Sequence, residues 1–115
     1  MYHKDLEAYK LSMKITTDIY KITQDFPKDE QFGLTNQIRR CVVSIPSNIA
    51  EGCARFSDKE SAKFINIALG SLAELDTQLE IAKNLGYVDR LEDINNELKK
   101  LNALVIGLNK FFNKT

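Results

Sequence analysis

Apolar residues recur along the chain every three to four positions, a period that predicts four amphipathic helices. The first is expected over about Asp5 to Asp25. It ends at Phe26-Pro27, because the residue before a proline is disfavoured in the α region. Two adjacent apolar lines run along it, one of Leu6, Tyr9, Met13, Thr16 and Tyr20, the other of Leu11, Ile15, Ile19, Ile22 and Phe26. Together they predict a wider apolar face than a two-stranded seam requires.

The second helix is expected to run to about Ala54, and two starting points are open. Asp29 opens it, or Gly33 separates a short turn from a helix that Thr35 caps. Pro46 lies inside the pattern and removes one backbone hydrogen bond, so it predicts a kink or a break. The kinked continuous helix is favoured, since the apolar stripe keeps its phase on both sides of the proline. That stripe consists of Leu34, Ile38, Cys41, Val42, Ile45, Ile49 and Cys53.

Capping signals mark the remaining two helices. Ser57-Asp58-Lys59-Glu60 has the form of a capping box and opens the third helix, while Gly86 stands where a left-handed cap is needed. Asp89 through Glu92 offers a second box, with Asp89 as the cap of the fourth helix. Gly107 lies inside that helix and costs about 1 kcal/mol relative to Ala, unless close packing offsets it.

The connections between these helices are short, so sequential helices must be antiparallel. The predicted fold is all-α: an antiparallel up-down-up-down four-helix bundle forming a single domain over 1–115. A chain of 115 residues buries enough surface to fold without covalent staples. No apolar run approaches the ~20 residues of a membrane span, and the Met1-Tyr2-His3 opening is unlike a signal peptide. A cytoplasmic protein with no membrane partner is therefore expected.

The inventory of reactive side chains argues against most catalytic and metal chemistry. Cys41 and Cys53 lie twelve positions apart on one predicted helix, about 18 Å by helical rise, which is too far for a disulfide. Two buried thiols in a reducing compartment are favoured over a redox or metal role. His3 is the only histidine, and glycine-rich phosphate loops are absent from the sequence. We expect no cofactor and no metal.

A polar stripe follows the second helix, and a simple bundle does not need it. It consists of Arg40, Ser44, Ser47, Asn48, Glu51 and Arg55. The third helix carries a comparable line of Glu60, Phe64, Ile67, Ser71, Glu74 and Gln78. A solvated face is the ordinary interpretation, but Ser and Asn are poor helix-surface residues, and Lys is absent from 31–57. The pattern favours a partly buried polar surface, at a subunit contact or a site.

Within this surface we expect Arg40 or Arg55 to pair with Glu51 or Glu74, inside the chain or across subunits. Small residues would allow close helix approach there, namely Ser44, Ser47, Ala50, Gly52 and Gly70. The enzymatic alternative is a hydrolase that uses Glu51 or Glu74. It would need a concave pocket and a raised carboxylate pKa, and no nucleophile with a base and an orienting group can be named from the sequence.

Basic residues form the other candidate surface. Sixteen Lys and Arg balance sixteen Asp and Glu, which excludes a generally polybasic chain. The candidates for phosphate contacts are Arg39, Arg40, Arg55, Lys99 and Lys100. The lysines near the end of the fourth helix are also explained by the helix dipole, which favours cations at a C-terminus.

Several segments resemble a bacterial four-helix bundle family that includes proteins encoded in intervening sequences of 23S ribosomal RNA genes. The resemblance is carried by Gln37-Ile38-Arg39-Arg40, by Ser44-Ile45-Pro46-Ser47-Asn48-Ile49-Ala50-Glu51-Gly52, and by Gly70-Ser71-Leu72-Ala73-Glu74-Leu75. The segments Leu79-Glu80-Ile81-Ala82 and Leu85-Gly86-Tyr87 fit it as well. The match extends over nearly the whole chain.

This resemblance implies an antiparallel four-helix bundle with no established enzymatic activity, whose relatives assemble as ring-like homopentamers. Similar bundles are accessory proteins of diversity-generating retroelements, where a strongly basic barrel binds nucleic acid and reverse transcriptase. This chain departs from that pattern at Leu69, and again over 53–58, where many relatives carry basic residues. We therefore expect a non-enzymatic, self-associating scaffold or adaptor, possible partners being RNA or a ribonucleoprotein. The alternative is an RNA- or DNA-binding module that contacts phosphates through a basic surface of the ring.

Overall fold

A computed structural model describes residues 1–114 and shows, over that range, helices without strands. The four α-helices are α1 (Glu7–Thr23), α2 (Leu34–Cys53), α3 (Asp58–Asn84) and α4 (Glu92–Phe112). Short 3-10 turns at His3–Asp5 and Lys28–Glu30 precede α1 and α2. Each helix packs against its sequence neighbours, and α1 also packs against α4, so the helices close a cycle around one core. The predicted all-α four-helix fold is confirmed.

Branched aliphatic side chains fill the centre of the bundle. The fully buried set includes Ile15, Ile19, Ile38, Ile45, Ile49, Ile65, Leu75, Leu79 and Leu101. On α1 the buried line is the one through Ile15 and Ile19, whereas Met13 and Tyr20 are 44% and 39% exposed. The predicted apolar face of α1 was therefore too wide. Its buried side is completed by Ala8 and by Ser12, whose hydroxyl donates to the Tyr9 carbonyl at 2.7 Å.

The start of α2 depends on a side chain outside the helix. Glu30 Oε1 accepts the backbone N–H of Leu34 at 3.1 Å, and Glu30 Oε2 accepts the Tyr87 hydroxyl at 2.8 Å. Of the two predicted starts, the one after Gly33 is confirmed, but Thr35 as the cap is wrong. Thr35 lies buried inside the first turn, and the free N–H of Leu34 is accepted by Glu30 and not by a threonine hydroxyl. A Cβ on Gly33 would lie 2.7 Å from Glu30 Oε1, so a larger residue there would require this side chain to shift from the Leu34 N–H.

Pro46 is buried within an α2 that continues on both sides of it. The continuous helix is thus confirmed over the broken one. The helix is held against α3 beyond the proline by a close approach at Gly52. A Cβ built there would lie 3.1 Å from both the Ser61 carbonyl and Ile65 Cδ1. Gly70 does not share this role, since a Cβ built on it would meet no atom within 4 Å.

The ends of α3 match their capping signals, and the start of α4 does not. Ser57 Oγ accepts the Glu60 N–H at 3.2 Å. Gly86 is left-handed at φ 81°, and the next N–H, that of Tyr87, reaches the Ala82 carbonyl at 2.9 Å. Asp89 is not the cap of α4, because the helix begins at Glu92, after the buried Leu91. The start of α4 is therefore marked by a buried leucine and not by a side-chain cap.

Candidate interaction surface

The predicted polar stripe lies along the seam between α2 and α3. We call it the α2–α3 face, made of Arg40, Ser44, Ser47, Asn48, Glu51, Arg55 and Glu74. The two helices meet at a serine pair, where Ser44 and Ser71 Oγ atoms are 2.7 Å apart. Ser44 Oγ donates to the Cys41 carbonyl at 2.6 Å, and Asn48 Nδ2 donates to the Ser44 carbonyl at 2.7 Å. These bonds satisfy the middle of the face locally, and Ser47 stands exposed beside them.

One arginine of the face is engaged within its own chain. Arg55 forms an ion pair with Glu51 one turn earlier on α2. Its guanidinium also lies 4.5 Å from the centre of the Phe64 ring, a cation–π distance. The predicted pairing of Arg55 with Glu51 is confirmed as an intrachain contact. Neither side chain is buried, at 43% and 52% exposure, so the pair adds little stability.

The two remaining charged residues of the face, Arg40 and Glu74, line a cleft. This Arg40 cleft has a volume of about 300 Å³ and is lined by Gln37, Arg40, Cys41, Ser44, Ser71 and Glu74. Over residues 1–114 Arg40 and Glu74 form no ion pair, and Glu74 accepts a hydrogen bond from Gln78 Nε2 at 3.1 Å. Gln78 is 7% exposed, and its Oε1 has no hydrogen-bond partner within the described chain. That carbonyl does not line the cleft and is sealed from solvent, so what the cleft offers a partner is the Arg40 guanidinium and the Glu74 carboxylate, neither of them ion-paired over residues 1–114.

The two cysteines do not add reactivity to this cleft. Cys41 donates its thiol hydrogen to the Ser71 carbonyl at 3.1 Å. Burial, with a smaller effect of the Glu74 carboxylate, raises its pKa to about 12. Burial also raises the pKa of Cys53, which lies near the other end of α2. Both thiols stay protonated at neutral pH and act as small core residues.

Exposed apolar side chains border the polar face. Val43 is 40% exposed, one turn from Arg40 and Ser47. On α3, Ile67 and Ile81 are 51% and 44% exposed and lie seven positions on either side of Glu74. Two phenylalanines extend from the turns that flank α2, Phe32 at 88% exposure and Phe56 fully exposed. Polar groups among exposed apolar ones are the composition of many protein–protein contacts.

A family model described as 23S rRNA-intervening sequence protein matches residues 4–107. The chain belongs to the 23S rRNA-intervening sequence protein family. It is similar to a solved structure from Bacteroides thetaiotaomicron VPI-5482, a protein of unknown function from the S23 ribosomal protein family. The two are 29% identical with a TM-score of 0.79, over 90% of this chain and 98% of that one. No curated protein matches the chain significantly.

In this family member the five basic candidates do not share one surface of the bundle. Arg39 is half-buried between α1 and α2. It donates to Thr23 Oγ1 at 2.8 Å and stacks 4.5 Å from the Tyr20 ring centre. Arg40 and Arg55 belong to the α2–α3 face. Lys99 lines a groove between α3 and α4, and Lys100 projects about 100° away from it around the helix.

Residues 1–114 of this family member contain no group of three or more His, Cys, Asp or Glu side chains placed to hold a metal ion. None of the helices over that range is both long and apolar enough to span a bilayer. His3 lies at the start of the chain, with its ring centre 4.9 Å from that of Tyr9. His3 thus packs as an aromatic side chain against Tyr9, and it is remote in sequence from Glu51 and Glu74.

Proposed function

We propose that this protein is a non-enzymatic scaffold or adaptor that self-associates through its α2–α3 face. The observation that carries the proposal is the Arg40 cleft, where neither Arg40 nor Glu74 has an ion-pair partner among residues 1–114. A neighbouring copy can supply a carboxylate to Arg40 and a donor to Glu74. The flanking Val43, Ile67 and Ile81 would be covered by the same contact.

The assembly we propose is a closed ring, five subunits being the number implied by the family resemblance. In a ring the contact is heterologous, so one face meets a different surface of the next copy. Arg40 and Glu74 would then each meet other residues of the neighbour, not one another. Across a two-fold axis, by contrast, Arg40 of one copy and Glu74 of the other would pair reciprocally.

Charge reversal tests the contact and its symmetry together. We expect the wild-type protein to have a mass five times that of its 13.1 kDa chain in light scattering. Glu74→Lys should reduce the mass to that of one subunit, because it removes the acceptor and repels the neighbour's donor. Glu80→Lys is the matched control, since it makes the same charge change on the same helix but in the α3–α4 groove.

The double variant Arg40→Glu/Glu74→Lys should stay a single subunit if the assembly is a ring. Recovery of mass in the double variant would mean a two-fold contact and would overturn the ring. An unchanged mass for Glu74→Lys, with an unchanged melting temperature, would overturn the assignment of this face as the interface. Hydrolytic chemistry at Glu51 or Glu74 is not part of the proposal, because Glu51 is ion-paired and the thiol beside Glu74 is held protonated.

The nucleic-acid alternative needs several free cations on one surface. Arg39 and Arg55 are already engaged by Tyr20 and Glu51, and Lys99 lies beside Asp76 in the α3–α4 groove. We therefore expect no retardation of a 23S ribosomal RNA fragment in a gel shift, even at low salt. Retardation that weakens steeply as salt rises would favour the nucleic-acid module instead.

A further inference from the structure

The side of the bundle formed by α1 and α2 carries exposed apolar groups next to a cation. Tyr20 lies on the flank of α1 toward α2, where Arg39 stacks on its ring, and Met13 lies seven residues earlier on the same flank. Both side chains are exposed. Thr17 and Lys21 follow Met13 at four-residue spacing and form one ridge with it. Among residues 1–114 Lys21 has no ion-pair partner, so this ridge offers both an apolar group and an available cation.

Two contacts between neighbouring helices show how α1, α2 and α3 are aligned along the bundle. Thr16 Oγ1 on α1 lies 3.5 Å from the Val42 carbonyl oxygen on α2. The Ser44 and Ser71 Oγ atoms, on α2 and α3, are 2.7 Å apart. Residue 16 of α1 is therefore level with about residues 71–73 of α3, and these two helices run in the same direction because both are antiparallel to α2.

At this alignment the ridge of α1 matches exposed groups of α3 on the α2–α3 face. With a rise of 1.5 Å per residue, Met13 and Ile67 differ in height by about 5 Å, and Lys21 and Glu74 by about 6 Å. The two differences have the same direction. They are small enough for the flexible stems of lysine and methionine to cover. The two surfaces thus pair an apolar group with an apolar group and a cation with an anion.

The closure of a ring restricts which side of the bundle can meet the α2–α3 face. In a ring of five each copy is turned by about 72° from the last, so the two contact surfaces of one copy point about 108° apart. Adjoining sides of a four-helix bundle differ by about 90°, and opposite sides by about 180°. The α1–α4 side is opposite the α2–α3 face and does not close such a ring. The α1–α2 and α3–α4 sides remain.

Charge distinguishes these two sides. With the α3–α4 side in the contact, α3 of every copy would line the inner wall, and Glu74 of one copy would approach Asp76 of the next. Arg40 would likewise approach Lys99, and like charges on facing surfaces oppose association. With the α1–α2 side in the contact, α2 lines the inner wall and α3 of one copy lies beside α1 of the next. That arrangement brings Lys21 to Glu74.

We propose that the α1–α2 side of a second copy of this chain covers the α2–α3 face, with Lys21 of one copy paired to Glu74 of the next. Met13 packs against Ile67 in the same contact. Gly70 lies between Ile67 and Glu74 on α3 with open space around it, which leaves room for the ridge of α1. This pairing rests on the proposed self-association and names the surface that completes it.

A charge swap followed by light scattering tests the pairing. Lys21→Glu should reduce the mass fivefold, to that of one subunit, because two carboxylates then meet in each contact. The double variant Lys21→Glu/Glu74→Lys should recover the wild-type mass, since each contact again joins opposite charges. Lys99→Glu is the matched control, because it makes the same charge change at an exposed position in the α3–α4 groove, and it should keep the wild-type mass.

Chemical cross-linking gives a second measurement that does not depend on charge. Met13→Cys/Ile67→Cys, treated with a short bis-maleimide, should give covalent species of up to five chains in denaturing electrophoresis. Each single variant should give no more than the wild type. The native Cys41 and Cys53 are buried and burial raises the pKa of both, so the wild type supplies the background.

An unchanged mass for Lys21→Glu, or a reduced mass that the double variant does not recover, would overturn the pairing, as would the absence of cross-linked species. If Glu74→Lys still lowers the mass, the proposed self-association stands and only its second surface is wrong. A lower mass for Lys99→Glu alone would assign that surface to the α3–α4 side instead.

Discussion

The α1–α4 side and the α2–α3 face of the bundle both carry charges, but they use them differently. Between α1 and α4, Lys14 Nζ lies 2.9 Å from Asp18 and 2.9 Å from Glu97. Both carboxylates thus share one lysine, and each of these three side chains has an ion-pair partner within its own chain. On the α2–α3 face, Arg40 stays without an ion pair and Gln78 Oε1 without a donor over residues 1–114.

The ion pairs of Lys14 hold α1 and α4 together within the chain, whereas Arg40 and Glu74 remain available to a partner. The α1–α4 bridge is exposed and complete, so a neighbouring molecule adds little to it. The Arg40 cleft is incomplete, because neither Arg40 nor Glu74 has an ion-pair partner over residues 1–114, so incoming charges of opposite sign can pair with both. Variants in the α1–α4 bridge should therefore change the free energy of unfolding slightly, whereas variants in the cleft should change self-association.

The largest effect on stability is expected at Gly52, where α2 and α3 approach most closely. Gly52→Val should lower the free energy of unfolding by about 1–3 kcal/mol, because its side chain overlaps Ile65 and the Ser61 carbonyl. Urea unfolding monitored by circular dichroism measures the change. Gly70→Ala is the control on the same face, and should raise stability by up to about 1 kcal/mol, since open space surrounds it. Equal losses in both variants would contradict the close approach.

Replacement of Gln78 should separate folding from association. Gln78→Leu removes the unpartnered carbonyl and leaves Glu74 to be solvated. We expect the isolated subunit to gain about 1 kcal/mol in urea unfolding, at concentrations where light scattering gives a single-subunit mass. The same variant should associate more weakly at high concentration. A variant that is less stable and associates normally would show that the carbonyl has a partner within the subunit.

The sequence predicted the bundle well because one period dominates it. Apolar residues at helical spacing identify α2, including its passage through Pro46, and the Ser57 and Gly86 caps bound α3 locally. The same reasoning failed at two helix starts. Thr35 does not cap α2, because Glu30, held by Tyr87 far along the chain, takes that role. Asp89 does not cap α4, which begins after the buried Leu91. Local patterns do not contain such long-range contacts.

The site was predicted as a face but not as a set of contacts. Periodicity placed Arg40, Arg55 and Glu74 on neighbouring surfaces, yet either arginine was an equal candidate for either glutamate. The short spacing between Glu51 and Arg55, one turn apart, was the signal that favours their pairing. Gln78 was part of the predicted polar line of the third helix, but the lack of a donor for its buried Oε1 over residues 1–114 depends on tertiary packing and had no signal in the sequence.

The Glu30 carboxylate caps the start of α2 at the end of the bundle where α3 terminates near Tyr87. The Leu34 N–H and then the Tyr87 hydroxyl lower the pKa of Glu30 below its usual 4.5. A lowered folded-state pKa gives stability that is present above the unfolded pKa and lost as pH falls through the folded one. Glu30→Gln should therefore melt below wild type at pH 7, with the gap closing as the pH falls below 4. Tyr87→Phe is the control, because it removes one bond and leaves the Leu34 cap; a gap independent of pH would exclude the carboxylate as its source.

The smallest effect is expected at the α1–α4 bridge. Hydrogen bonds from Lys14 to Asp18 and then Glu97 raise the pKa of Lys14 above its usual 10.5. For a raised pKa the contribution is complete below the unfolded value and is lost as pH rises through the folded one. A double-mutant cycle of Lys14→Met and Glu97→Gln at pH 7 should give a small favourable coupling that shrinks in high salt, with the mass of the assembly unchanged in all variants. A lower mass for Lys14→Met, like that expected for Glu74→Lys, would make the α1–α4 side a subunit contact as well. In that case, charges that are paired within the chain would not identify a surface outside the interface.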